Sequence, residues 1–157
     1  VIQFTTFYVG KTYFGIPILQ VREINHNLRI TEVPDSPTYI KGLLNLRGQI
    51  VTLFDLAVRL GRAETEIGNT TRNLILKTDA DTAKLREQGL VKERVGDDAV
   101  GFIVDRIADV VEVDEHEIVP PPANVQDIQK EFIAGVIELD RELLIILNIT
   151  ELMAIHR

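Results

Sequence analysis

Few side chains in this 157-residue chain are of a type, and at a spacing, that does chemistry. The histidines His26, His116 and His156 lie far apart, without the i, i+4 spacing that sets two imidazoles on one helix face for zinc. Cysteine is absent, which removes thiolate nucleophiles, disulfides and Cys-containing metal sites. The densest acidic run, Asp114-Glu115-His116-Glu117, lacks the glycine and the ligand periodicity of a calcium loop and reads as a solvated face. Ser36 is the sole serine, and with Pro37 behind it reads as a helix cap rather than a nucleophile. No glycine-rich phosphate loop occurs. A glycosidase-type carboxylate pair is left open, because its separation exists only in space, but nothing singles out two acids.

One charged pair stands out in apolar surroundings: Glu23 in Val21-Arg22-Glu23-Ile24 and Arg47 in Leu44-Asn45-Leu46-Arg47-Gly48. Alternation along an extended segment sets Val21 and Glu23 on one face, with Arg22 and Ile24 on the other. If Arg47 reaches Glu23 the two form an ion pair; removing one partner costs about 3–5 kcal/mol when such a pair is buried and about 0.2–1 kcal/mol when exposed. A surface salt bridge or two solvated charges fits the same residues. Gly42 and Gly48 punctuate strand ends and read as backbone requirements.

The elements that must position these residues are short. Composition is 45% hydrophobic and 26% charged, which suits one compact domain or two very small ones. Seventeen Lys and Arg against 24 Asp and Glu give a charge of -7, disfavouring nonspecific nucleic-acid or anionic-membrane binding. The longest apolar run, Leu143 to Leu147, is far below the ~20 residues of a membrane helix, and no basic signal flank is present. A cytoplasmic location is expected. The start at Val1, without Met, reads as a trimmed or excised domain. Val, Ile and Leu cluster in short runs between Gly, Pro, Asp and Asn, predicting strands at 3–8, 13–17, 21–24, 42–46, 49–54, 73–77, 100–104, 110–113, 135–138 and 142–148. Single helical turns are expected from Asp35 toward Ile40 and from Asp55 to Leu60, with further helical candidates at 79–88, 124–132 and 150–157.

The two halves repeat. Val9-Gly10, Phe14-Gly15-Ile16, Val21, Glu23-Ile24 and Val33-Pro34 are answered at one constant offset by Val95-Gly96, Val100-Gly101-Phe102, Ile107, Asp109-Val110 and Val119-Pro120. Ile40 to Gly42 and Ile50 to Leu56 are answered at a second offset by Ile133 to Gly135 and Leu143 to Ile149, the extra residues falling after Pro120-Pro121-Pro122. About five short strands per unit suit a small barrel, since closure removes exposed edges. Each half is too small to be comfortably stable alone, so a shared apolar seam is expected.

The segment from Pro37 to Leu56, with Gly42-Leu43-Leu44-Asn45-Leu46-Arg47-Gly48 followed by an apolar strand and Asp55-Leu56, resembles the CheW family of bacterial chemotaxis coupling proteins. Val21 to Ile24, Val33-Pro34, Val100 to Asp105, Pro120 to Pro122 and Leu143 to Met153 resemble family blocks in order. The resemblance implies a mainly β fold of two interlocked five-stranded SH3-like barrels in a single domain over 1–157. Its first barrel is placed at 14–72 and its second at 73–157, with strand 1–13 open to sharing. It implies a noncatalytic adaptor, without cofactor or metal, that couples chemoreceptor cytoplasmic tips to a CheA-type histidine kinase. Carried over by position, Val21 and Gly42 fall at the kinase-binding surface, Glu23 and Arg47 near the receptor-binding region, and Asn73 and Leu74 in the groove that takes the receptor helix. The stretch from Lys77 to Val95 is longer than the family's usual hairpin and reads by composition as a mobile loop, with a cover or an extra contact surface as alternatives. A regulatory domain cut from a larger kinase or a receiver-fused adaptor, and a small β-barrel enzyme or ligand-binding protein, stand as the other readings.

Overall fold

In the computed structural model, which describes residues 1–123 and 125–154, the Val, Ile and Leu runs form eleven strands and three short α-helices. The strands are β1 (Ile2–Val9), β2 (Thr12–Pro17), β3 (Val21–Asn25), β4 (Ile40–Leu46), β5 (Gln49–Asp55), β6 (Arg72–Leu76), β7 (Val100–Val104), β8 (Arg106–Ile107), β9 (Val111–Val113), β10 (Ile133–Glu138) and β11 (Leu143–Leu147). The helices are α1 (Leu56–Arg59), α2 (Ala83–Glu87) and α3 (Ile149–Leu152). All ten predicted strands are present. The two-residue β8 is an addition, too short to leave a sequence period.

The strands form two sheets with matching order. One runs β10-β11-β2-β1-β8, with β9 also on β1; the other runs β4-β5-β7-β6-β3. The correspondence extends to register. In the first, β11 and β2 lie parallel with Ile145 opposite Phe14 and Ile146 opposite Gly15. In the second, β5 and β7 lie parallel with Thr52 opposite Val100 and Leu53 opposite Gly101. These are the residues the sequence repeat equates. Both sheets also close alike: Thr31 exchanges backbone bonds of 2.9 and 2.8 Å with Leu43 on β4, and Val119 exchanges bonds of 3.0 and 2.9 Å with Val136 on β10. The closing residue is Thr31, not the Val33 that the repeat aligns with Val119, because the two connecting loops differ in length. The result is a pair of SH3-like β-barrels.

The barrels are interlocked by exchange of hairpins. The β1-β2 hairpin joins β8 to β11, whereas β6-β7 joins β3 to β5. Hydrogen bonding therefore groups the strands differently from the expected 14–72 and 73–157 division, since the repeat marks duplicated segments and not which strands pair. Each barrel carries its own interior cluster at equivalent positions: Leu44, Val51 and Leu53 in one, Ile137, Leu144 and Ile146 in the other. A third cluster runs between them through Phe7, Phe14, Phe54, Leu74, Phe102 and Ile145.

The helices repeat as well. Asp55 caps α1 through the Ala57 N–H at 3.1 Å, and Asn148 caps α3 through the Glu151 N–H at 3.1 Å. Arg59 at the end of α1 donates to the Leu152 carbonyl at 2.9 Å and stacks on Phe132, tying the two ends together. The helical turn expected after Asp35 is absent: Ile40 N–H closes a simple turn on the Pro37 carbonyl at 3.0 Å. Ser36 donates to the Val33 carbonyl at 2.8 Å instead of capping a helix. Of the C-terminal candidate, Leu152 and Met153 are fully buried, while Ile155 lies outside the described residues.

The parallel seams predict an asymmetric response to the same substitution. A Cβ on Gly101 would lie 2.7 Å from Ile75 Cδ1 and 2.9 Å from Leu53 Cδ2, whereas at Gly15 the nearest atoms stand at 3.3 to 3.5 Å. Gly101→Ala is expected to destabilise by about 1–3 kcal/mol through overpacking, and Gly15→Ala by less, as read from urea unfolding midpoints.

Candidate functional site

The β4–β5 hairpin turns on two residues, Arg47 (φ +52) and Gly48 (φ +87), between the paired Leu46 and Gln49. Positive φ at both central positions is the geometry that matches the twist of the flanking strands. Asn45 Oδ1 accepts the Gly48 N–H at 2.9 Å and steadies the turn. From it the Arg47 guanidinium forms an ion pair with the Glu23 carboxylate on β3. Next to it Arg22 donates to Gln49. Because β3 and β4 lie at opposite ends of their sheet, both contacts cross the seam where that barrel closes.

The ion pair sits at the boundary of solvent, with the Glu23 side chain 26% exposed and that of Arg47 66%. Donation from Arg47 holds the Glu23 carboxyl below its usual range, against a smaller upward push from burial; Asn25 and Arg22 add to the lowering. This exposure places the pair near the 0.2–1 kcal/mol class and not the buried class of about 3–5 kcal/mol.

The other expected site residues separate into surface-adjacent and interior ones. Val21 is half-buried at the start of β3, opposite Leu76, and packs on the shared core. Gly42 is buried with φ +153, and a Cβ there would fall 2.3 Å from the Thr31 carbonyl oxygen, so its place is fixed by the barrel-closing contact. Asn73 and Leu74 are both 0% exposed, which corrects their expected role as groove-lining contacts. They lie on β6, between β3 and β7 and covered on both faces. Leu74 belongs to the shared core, and Asn73 Nδ2 donates to Asn25 Oδ1 at 3.2 Å and to the Asn27 carbonyl, shaping the loop after β3.

The long connection from Lys77 to Val95 is also corrected: it is an ordered clasp. The spacing Thr78-x-x-Asp81 is a helix-start signal, and Asp81 Oδ2 accepts the Thr78 N–H at 3.0 Å just before α2. Asp79 is its hub, accepting Val95 N–H at 2.9 Å, Arg94 Nε at 3.2 Å and Arg86 Nη2 at 3.4 Å. Burial alone would raise the Asp79 carboxyl; the Val95 and Gly96 backbone groups and Arg94 outweigh it and hold it below the usual range. Glu93 accepts the Thr150 N–H at 2.7 Å and its hydroxyl at 2.9 Å, fastening the clasp to α3.

Between residues 89–93 of this clasp and a barrel surface formed by Phe4 on β1, Ile146 on β11 and Ile18 in the short turn after β2 lies a cleft of about 690 Å³. Two other clefts, of about 460 and 550 Å³, are edged by charged groups such as Lys41 and Glu64, or Arg62 and Asp105. Among the described residues one group of side chains could approach a metal: Asp114, His116 and Glu117, all exposed, with ligand atoms within 4.8 Å. Glu117 there accepts the Asp114 N–H at 2.9 Å, a local helix-start contact. His26 is exposed and remote in sequence, and His156 lies outside the described residues.

Two outcomes follow from this electrostatics. In a Glu23→Gln, Arg47→Met double-mutant cycle the coupling is expected at about 0.2–1 kcal/mol. Glu23 titrates below its unfolded value, so the contribution is complete above that value and fades as pH falls through the depressed folded one; the cycle repeated at acid pH measures this. Asp79→Asn is expected to cost about 1.5–3 kcal/mol by weakening charge-assisted bonds, and to speed amide exchange across 79–95 before the barrels, as followed by hydrogen exchange.

Comparison with known proteins places this architecture. The CheW-like domain family matches residues 3–156. The chemotaxis protein CheW of Treponema pallidum is 30% identical over 152 residues, covering 97% of this chain and 82% of that protein. The Bacillus subtilis chemotaxis protein CheW is 33% identical over 139 residues, covering 88% and 78%. The crystal structure of the scaffolding protein TtCheW from Thermoanaerobacter tengcongensis superposes with a TM-score of 0.78 at 27% identity, covering 97% of this chain and 87% of the other. With the family matched across nearly the whole chain and the interlocked barrels accounted for by it, the chain belongs to the CheW-like family of chemotaxis scaffolding proteins.

Proposed function

We propose that this chain is a noncatalytic cytoplasmic adaptor that couples the cytoplasmic tip of a chemoreceptor to a CheA-type histidine kinase. The supporting observation is the hairpin exchange: two barrels share one core, so faces on different barrels keep a fixed mutual geometry. An adaptor requires that relation, since a partner seated on one face is then held in register with a partner on the other. Weak individual contacts suffice when many copies act together, because linked sites raise the effective concentration of each partner.

In this reading the face around Val21 on the first barrel serves the kinase, and Glu23 with Arg47 orders the neighbouring receptor-binding region. Gly42 acts through the barrel closure, and Asn73 and Leu74 act from beneath, by holding β6 and the loop after β3 in place. Among the described residues no helix is long and apolar enough to cross a membrane, so membrane association in this reading runs through the receptor.

Co-sedimentation of the purified chain with receptor signalling-tip fragments and the kinase, separately and together, tests this. The chain is expected to bring the kinase into the receptor pellet. Arg47→Ala is expected to lower that recruitment severalfold while shifting the unfolding free energy by no more than about 1 kcal/mol. A chain that pellets with neither partner overturns the proposal.

A further inference from the structure

We propose that Arg59 is the positioning residue that fixes the angle between the two barrels, and with it the relation between the docking faces they carry; the functional half of this rests on the adaptor reading given above. The sequence repeat locates it. The offset that equates the two helix caps, Asp55 and Asn148, also equates Tyr39 with Phe132 and Arg59 with Leu152. The backbone keeps the same equivalence: Asp55 N–H donates to the Tyr39 carbonyl at 2.8 Å, and Asn148 N–H to the Phe132 carbonyl at 2.8 Å. The Arg59 guanidinium lies against both equivalent rings, 5.3 Å from the Tyr39 centroid and 4.5 Å from that of Phe132, inside the reach of cation–ring attraction. Its Nε donates to the carbonyl of its own counterpart, Leu152, at 2.9 Å, and its Nη2 to the Glu151 carbonyl at 3.3 Å. A residue that touches both members of one equivalent pair and bonds to its own equivalent stands where the local symmetry axis of the two halves passes.

The repeat is broken at this point for a physical reason. Two arginines would set like charges side by side on the axis, whereas one arginine facing a leucine whose carbonyl accepts from it does not. Apolar burial favours contact without direction, and cores that keep their volume lose a unique arrangement before they lose stability. The shared core of Phe14, Phe54 and Phe102 therefore holds the barrels together, and a planar fork spread over two carbonyls and two rings fixes how they sit. Tyr39 leads into β4 and Phe132 into β10, which end the two sheets at equivalent places, so the hold acts on the same strand of each barrel. The polar links made by Arg62 to the Thr12 hydroxyl at 2.7 Å and by Thr150 N–H to Glu93 at 2.7 Å lie off the axis and fasten the β1–β2 hairpin and the clasp.

Because the chain has no cysteine, nitroxide labels on Ile50→Cys of β5 and Arg141→Cys of the β10–β11 turn, both exposed, report the distance between barrels alone. Arg59→Met and Arg59→Lys are compared with wild type by pulsed dipolar spectroscopy. Unlabelled, they are titrated separately against the kinase and a receptor signalling-tip fragment, then co-sedimented with both. Arg59→Met is expected to widen the distance distribution about twofold, and Arg59→Lys to widen it less, since the charge stays and the fork is lost. Separate affinities are expected within about twofold of wild type, while the kinase carried into the receptor pellet falls about fivefold. A distribution of unchanged width in both variants overturns the proposal whatever the binding shows. A wider distribution with full recruitment overturns its functional half, and an equal loss of the separate affinities does the same by making Arg59 a contact or folding residue. A wild-type chain that pellets with neither partner overturns the adaptor reading, while the widths still decide the angle. Should Arg59→Met not fold, the width in Arg59→Lys decides alone.

Discussion

Two parallel strand contacts hold the molecule together: β5 against β7, and β11 against β2. Each joins strands from different halves of the chain, and each puts a glycine, Gly101 or Gly15, beneath the aliphatic side chains of neighbouring strands. Without those contacts neither barrel has five strands, because each borrows its central hairpin from the other half. A unit of that size alone buries too little surface for comfortable stability. The shared core of Phe7, Phe14, Phe54 and Phe102 exists only when both hairpins are exchanged, so the two barrels are bound to fold as one cooperative body. Long-range parallel pairing makes that route slow relative to a local hairpin, which is the kinetic side of the same constraint.

Barrel closure is the second level, and here magnitudes decide what holds what. Arg47 occupies a left-handed backbone conformation that costs a non-glycine residue about 1–2 kcal/mol. Its ion pair with Glu23, at about 0.2–1 kcal/mol, does not offset that cost alone. The turn is held by the fit of its twist to β4 and β5, whose Leu44, Leu46 and Val51 are sealed in the barrel interior. The ion pair is then a consequence of a turn fixed by packing, and what it contributes is direction: it sets the guanidinium over the seam between β3 and the hairpin. Arg22 and Gln49 make a second crossing beside it.

How far the sequence was readable follows from the same physics. Strand positions and the charged pair were legible because turn chemistry and strand patterning are local: Arg47-Gly48 sits between paired strands. The expected shared face of Val21 and Glu23 was not, because the register slips by one residue between them and leaves Val21 opposite Leu76 and Glu23 opposite Ile75, on opposite faces of β6. The repeat was legible because equivalent barrel positions need equivalent residues, as in Leu53 and Ile146 over Gly101 and Gly15. Which hairpin joined which barrel was not, since it depends on pairings between distant segments that leave no local period. Asn73 and Leu74 were misplaced for a related reason. An apolar run looks the same whether it lines a groove or lies in a central strand, and the neighbours of β6 on both sides decide the matter. Ser36 failed as a helix cap because the turn it would have started is closed by Pro37 and Ile40, leaving its hydroxyl to the Val33 carbonyl.

The clasp shows where composition misleads. Residues 79–95 are rich in charge and poor in apolar mass, a pattern that signals mobility when charges face water. Here Asp79, Arg86, Glu93 and Arg94 are spent on one another, on backbone groups and on α3. Composition counts charges but does not report their partners. Hydrogen bonds to ionised groups contribute about 1.5–3 kcal/mol each, so a few suffice to order a segment that has little core of its own. Val91 and Val95, both buried, add the apolar anchors that fix it to the barrels. Order in this segment changes what its exposed residues mean: Leu90 on a mobile loop would be one apolar side chain among many conformations, whereas Leu90 on a fastened clasp has a defined position at the edge of the cleft.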